Sequence, residues 1–170
     1  MPPIPSCNIV NSEEDPAVMA MEDFVETDIL LTLDSGCCDH IVDMADAPGY
    51  ACVLHPSAGS QRGQKFVVGN GDRVANRGQI KLRMKSKDAD GFLMNSVFQV
   101  AEITRPLMSV SRICDQDMVC VFEKDHARVL DSDGNIVARF ERDGGLYTCT
   151  MKLRRPEARS NTEDFPRPER

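Results

Sequence analysis

Between residues 27 and 153 the chain alternates short apolar runs with turn residues, which predicts strands rather than long helices. Ile29-Leu30-Leu31-Thr32-Leu33 is a compact apolar run that ends at Asp34. Lys65-Phe66-Val67-Val68 leads into Gly69-Asn70-Gly71-Asp72, where Asn and Gly tolerate the positive φ of a tight turn. Residues 79–85 alternate strictly, with Ile80, Leu82 and Met84 on one face and Lys81, Arg83 and Lys85 on the other. Residues 92–103 alternate in part, interrupted by adjacent Val97 and Phe98, and residues 118–122 are apolar throughout. Runs at 127–130 and 136–140 flank Asp131-Ser132-Asp133-Gly134 and predict a hairpin. Gly144-Gly145 marks a further turn before a last strand over 146–153. One helix is predicted, over 108–117, where Val110 and Ile113 share a face. Many short strands and one short helix predict an all-β barrel or sandwich. No internal repeat is visible.

The ends differ in character. Residues 1–26 are rich in Pro, Ser and acids, and read as a flexible acidic leader with a short helical turn near 19–24. From residue 154 onward, charge and proline predict a disordered tail or linker. That leaves 27–153 as the folded domain, and 170 residues suit one domain with tails. With no Trp and few aromatics, the core must rest on Val, Ile, Leu and Met.

Charge and cysteines narrow the function classes. A formal net charge of -7 argues against a general nucleic-acid binder. No apolar run approaches the ~20 residues of a membrane span. The start, Met1-Pro2-Pro3-Ile4-Pro5, lacks the basic and apolar regions of a signal peptide, so a cytoplasmic location and no membrane partner are expected. Seven cysteines, an odd number without a secretion signal, read as reduced thiols. A Cys/His metal site drawn from Cys37 or Cys38, His40, and Cys52 or His55 stands as an alternative; the reading adopted has no metal and no cofactor.

Asp34-Ser35-Gly36 carries the candidate chemistry. An apolar strand running into Asp-Ser-Gly presents a carboxylate from a rigid platform. Gly36 allows close approach of a second backbone, and Ser35 can hydrogen-bond across the turn. Read locally, the same residues also make an ordinary turn between two strands. Two such aspartates about 3 Å apart share one proton; the charged one activates a water and the protonated one donates to a carbonyl. The chain holds one copy of the motif. Asp131-Ser132-Asp133-Gly134 has an extra Asp, and Asp143-Gly144-Gly145 lacks the Ser. A dyad therefore needs a two-fold homodimer that brings Asp34 to its copy.

From residue 33 to 140 the chain resembles the protease region of copia-type retrotransposon polyproteins. That family reads L-D-S-G-A-[ST]-x-H-[IMV] at the active aspartate, matched here by Leu33-Asp34-Ser35-Gly36-Cys37-Cys38-Asp39-His40-Ile41. Its flap phrase, [VA]-G-[ND]-G then six residues and a Gly, is matched by Val68-Gly69-Asn70-Gly71 and Gly78. A phrase like N-L-[LI]-S-V-x-[RKQ]-[LI] is matched by Pro106-Leu107-Met108-Ser109-Val110-Ser111-Arg112-Ile113, and V-x-F by Val119-Cys120-Val121-Phe122. Gly145-Leu146-Tyr147 looks like the start of the region between protease and integrase. The departure is Cys37-Cys38 in place of the usual small and hydroxyl residues.

The resemblance implies a retropepsin-like closed barrel acting as a homodimeric aspartic endopeptidase, with Asp34 catalytic and Ser35 and Gly36 completing its turn. Gly69, Asn70, Gly71 and Asp72 would form the flap over a peptide or polyprotein substrate. Leu107, Met108 and Ser109 would form a second active-site loop, and nucleic acid would be met only through a larger polyprotein. A retroelement-derived module that binds peptides without cutting them is the alternative. The strand that interleaves across the dimer is left open between the leader and 146–153. His40 reads as a packing and hydrogen-bonding residue near the turn, His55 and His126 as solvated, and Glu102 as a surface charge on a strand. Lys81, Arg83, Lys85 and Lys87 read as a solvent face.

Overall fold

A computed structural model describes residues 26–87 and 93–157, and the short helical turn expected near 19–24 lies outside them. Its first strand, β1 (Thr27–Asp34), buries Ile29, Leu31 and Leu33 on one face. Thr32 is buried as well, and β1 has a strand on both edges. One neighbour is β11 (Leu146–Leu153), antiparallel from Thr27↔Leu153 to Thr32↔Thr148. The other is β7 (Leu107–Ser109), parallel, with Asp34 opposite Ser109. β7 in turn pairs with β2 (Ile41–Val42), and β2 with the end of β6 (Leu93–Val100). β6 pairs along its length with β5 (Gln79–Ser86), which meets β11 at Met151, Lys152 and Leu153. The pairings thus run β1-β7-β2-β6-β5-β11 and return to β1, closing a ring.

From β11 the sheet extends outward through β10 (Ile136–Asp143) and β9 (His126–Leu130) to β8 (Val119–Phe122) at its edge. A separate two-stranded hairpin is made by β3 (Lys65–Val67) and β4 (Arg73–Ala75). The molecule is mostly β, as the sequence pattern predicts.

The core fills from the inward faces of these strands: Leu31, Ile80, Leu82, Met84, Phe98, Phe140 and Leu153 are fully buried. Each such side chain contributes roughly 1.5–3 kcal/mol relative to exposure. Tyr50 is also fully buried, and its hydroxyl donates to the Arg154 carbonyl (2.6 Å) while accepting from the Arg83 amide (3.2 Å). That pair of bonds holds the chain after β11 along β5.

Several sequence expectations change. The single helix becomes two: α1 (Ala58–Gln61), not foreseen, and α2 (Val110–Asp115), shorter than the predicted 108–117. α1 is held by a capping box between Ser57 and Ser60, a signal too short to stand out. Met108 and Ser109 belong to β7 instead of the helix, because β1 and β2 draw them into the sheet. Residues 101–103 leave the strand, and Glu102 is an exposed residue off the sheet, paired with Arg77 at 2.6 Å. The apolar run at 118–122 is the outermost strand, with Val119 and Phe122 substantially exposed. Among the described residues no helix is long and apolar enough to cross a membrane.

Candidate active site

β1 carries Asp34 to the end of the sheet, where the chain turns sharply. The Gly36 amide donates to Oδ1 of Asp34 at 2.8 Å, an Asx turn that orients the carboxylate. A Cβ on Gly36 would stand 3.3 Å from that oxygen, so the small residue keeps the bond undistorted. Ser35 and Gly36 are exposed and Asp34 is half-buried.

The strands on either side of this turn, β1 and β2, are not neighbours. β7 lies between them, parallel to β1 and antiparallel to β2. The loop 35–40 therefore crosses the end of β7, where Ser109 is fully buried. Ser109 Oγ donates to the Cys37 carbonyl at 2.6 Å. Its one proton is thereby committed, so Ser111 Oγ is the donor in the 3.0 Å contact between the two hydroxyls. Ser109 Oγ also accepts from the Arg112 amide as the N-cap of α2. One side chain thus ties the loop after Asp34 to β7 and α2.

His40 completes the same knot. The Ser109 amide donates to His40 Nδ1 at 2.9 Å, which leaves the ring proton on Nε2. The ring lies 5.2 Å from that of Phe98. Burial, and then the Arg112 charge, push the His40 pKa down to about 4, against a smaller opposing pull from Asp39. Arg112 grips Asp39 with two nitrogens, Nε at 2.8 Å and Nη2 at 2.5 Å. His40 is therefore neutral and structural, in line with its packing role.

Cys37 has a structural place. Its thiol donates to the Asp39 carbonyl at 2.9 Å, and its side chain packs beside Ile41, Phe66 and Ala101. Burial first, with the nearby Asp34 charge adding, pushes the thiol pKa up to about 11. Cys38 is exposed. The other residues of the metal alternative are engaged apart. Cys52 donates to the Gly49 carbonyl, and His55 sits between the Val53 carbonyl and the Gln79 side chain. Among the described residues no three of His, Cys, Asp or Glu gather as a metal-holding group. His55 and His126 were expected in solvent; both are half-buried, and His126 Nε2 lies 3.1 Å from Glu123.

The residues expected to form a flap sit at the tip of the β3–β4 hairpin. Val68 N donates to Asp72 O and Gly71 N to Val68 O, with Gly71 at φ 88°. Asn70 bridges the turn, accepting from the Asp72 amide at 2.9 Å and donating to its carboxylate at 2.8 Å. Gly69, Asn70, Gly71 and Asp72 are all exposed. At the base, Phe66 and Val74 join the apolar cluster that includes Cys37. Hairpin and Asp34 loop therefore rest on one shared support.

A groove of about 700 Å³ runs between β6, α2, β9 and β10. It takes in Asp39 and His40, but not Asp34, Ser35, Gly36 or the hairpin tip. Asp34 lies outside the groove, at the open end of the sheet. β11 is paired on both edges, with β1 on one and with β10 and β5 on the other, so 146–153 is not free to interleave with a second copy. Leu107, Met108 and Ser109 lie in β7, directly beside the Asp34 turn.

The sequence did not single out the Ser109–Cys37, Ser109–His40 and Arg112–Asp39 contacts. Ser109 ahead of an apolar helical stretch is an N-cap signal, but that signal concerns the Arg112 amide and not these three contacts. No family model matches the chain, and no curated protein and no solved structure matches it.

Proposed function

We propose that this chain is a retropepsin-type aspartic endopeptidase of a copia-type retrotransposon polyprotein, active as a homodimer in which Asp34 meets its copy. The observation that carries the reading is the mounting of Asp34. The carboxylate stands at the end of a buried strand, is oriented by the Gly36 amide, and is backed by β7 through Ser109. An aspartate in an ordinary surface turn has no need of such support.

In the dimer one Asp34 is ionised and takes a proton from the attacking water. The other is protonated and donates to the scissile carbonyl, and the pair titrates as a unit. An extended substrate lies between the turn and the β3–β4 hairpin, held by main-chain hydrogen bonds and selected by side-chain pockets. The exposed hairpin tip on an anchored base supports a covering element, and the open setting of Asp34 in one chain supports a site completed by a second.

A second reading, a peptide-binding module without catalysis, is favoured by the groove, which lies away from Asp34. Light scattering over a concentration series separates the two. The protease requires a species near twice 18.9 kDa, whereas a monomer at all concentrations leaves Asp34 without its partner and supports the module.

A further inference from the structure

β5 and β6 share an outward face on which basic and apolar residues lie side by side. Lys81 stands opposite Val97, Arg83 opposite Asn95 and Lys85 opposite Leu93. Opposed residues of a ladder point to the same side of the sheet, and the alternate residues Ile80, Leu82, Met84 and Phe98 are buried on the other. Leu93 is 55% exposed and Val97 47%. β11 extends the basic row, with Lys152 opposite Lys85 and the Arg154 amide donating to the Arg83 carbonyl. Lys152 pairs with Glu26, Lys87 with Asp28, and Lys81 and Arg83 with Glu157. Lys85 and Arg154 make no ion pair among the described residues. Like charges directly opposite each other, as at Lys85 and Lys152, cost stability until an acid offsets them. In a chain of net charge -7 this face is basic.

The same face ends at an open strand edge. β2 pairs with β6 only at Gln99 and Val100, and among the described residues no strand continues it. The Gln99 amide donates to the His40 carbonyl on that side. Backbone groups two residues apart along a strand point the same way, so the N–H and C=O of Asn95 and Val97 face outward there. The groove of about 700 Å³ runs along this edge, lined in succession by residues 93–97. Its other walls are largely apolar, with Met108, Ile113, Met118, Val137 and Phe140 among them. An open edge beside exposed apolar residues is a template for strand pairing.

Geometry and charge together define what fits. An extended segment added to this edge exchanges main-chain hydrogen bonds with Asn95 and Val97. Every second side chain of the segment then enters the groove and meets its apolar walls. The side chains between them lie on the outward face beside Leu93 and Val97. At about 4.8 Å per strand they stand ~9.6 Å from β5, a gap that a glutamate and a lysine side chain close between them. Charge complementarity to Lys81 and Lys85 therefore selects acids at those positions. Single-stranded nucleic acid is bound by stacking its bases on aromatic rings, and no outward-facing residue of β5 or β6 is aromatic.

We propose that the β6 edge is a docking site for a protein partner, which adds to it an extended segment of alternating acidic and apolar residues. The acids meet Lys81 and Lys85 on the outward face, and the apolar side chains fill the groove. Asp39 and Arg112, which also line the groove, are paired with each other and leave the selection of charge to β5. The proposal gives a ligand to the groove that favours the peptide-binding reading, and it stands whether or not Asp34 cuts peptides.

Fluorescence anisotropy with a labelled peptide of alternating Glu and Val, about six residues long, tests it on the full chain. The peptide should bind saturably, and a Lys/Val peptide of the same length should bind at least roughly tenfold more weakly. Val97→Pro removes a donor from the open edge and no bond to β5, a place where sheets accept proline. It should weaken binding roughly tenfold, as should the double variant Lys81→Glu, Lys85→Glu. A Glu/Val peptide N-methylated at alternate residues, which cannot pair with a strand edge, should not bind the natural chain; this arm needs no altered protein. Asp34→Asn should bind the peptide as the natural chain does. No saturable binding, or equal binding of the Glu/Val, Lys/Val and N-methylated peptides, would overturn the proposal. Binding lost in Asp34→Asn would overturn it by placing the peptide at the Asp34 turn. Peptide affinity that falls as protein concentration rises would overturn it in favour of a second copy, and tighter binding of a single-stranded RNA oligonucleotide through Lys81 and Lys85 in favour of nucleic acid.

Discussion

The backbone amide of Ser109 donates to Nδ1 of His40 across 69 positions of sequence, at 2.9 Å. The bond fixes the imidazole tautomer and fastens the loop after Asp34 to the strand beneath it. The same serine holds the Cys37 carbonyl through its hydroxyl, so the turn that presents Asp34 is tied down at two points.

His40 makes stability depend on pH in a defined window. Its folded pKa is about 4, below the 6.5 of a free imidazole. Above pH 6.5 both folded and unfolded forms are neutral there, and the full contribution is present. As pH falls from 6.5 towards 4, the unfolded chain binds a proton that the folded chain refuses, so stability drops; below 4 this loss levels off. Urea midpoints at pH 7 and pH 4.5 should fall more steeply for the natural chain than for His40→Gln, whose amide oxygen can still accept from Ser109. Identical pH dependence in the two proteins would remove His40 from this role.

Ser109→Ala loses the helix cap and the bond to Cys37 together. The expected cost is about 2 kcal/mol, from one buried hydrogen bond and one N-cap. Thermal or urea unfolding reads it directly. Ser109→Thr keeps a hydroxyl and should recover part of the loss; a variant as stable as the natural chain would show the knot to be idle.

Two glycines near the hairpin should respond in opposite ways. Gly78 has φ 128°, and a Cβ there would lie 2.5 Å from the His55 carbonyl oxygen. Gly78→Ala should cost about 1–3 kcal/mol from backbone strain alone. Gly69 at the tip has nothing within 4 Å, and Gly69→Ala should stay within roughly 0.5 kcal/mol. Parallel melting curves of the two variants make the comparison.

The strands long enough to show a period of two were legible from the sequence, and residues 79–85 alternate in the structure as they do in the chain. β2 and β7, at two and three residues, are too short to display any period. Their place depends on pairing with β1 and β6, contacts distant in sequence that no local pattern encodes. For that reason the helix marked by Val110 and Ile113 begins later than the sequence pattern predicts, after Met108 and Ser109. Asp34, Ser35 and Gly36 stood out because an apolar run ends at them. Their supports did not, since Ser109, His40 and Arg112 acquire meaning only when the sheet brings them under the turn. The groove along β6 was equally hidden, because an unpaired edge is a property of the whole sheet.

Peptide hydrolysis by Asp34, as proposed, is open to direct test. Asn at this position has the same shape and can still accept from the Gly36 amide, so Asp34→Asn should melt like the natural chain. Cleavage of an unfolded protein substrate or of the chain's own flanking segments, followed by mass spectrometry at mildly acidic to neutral pH, gives the direct reading. Defined cuts by the natural chain and none by Asp34→Asn are expected. Equal cleavage by the two proteins would contradict it.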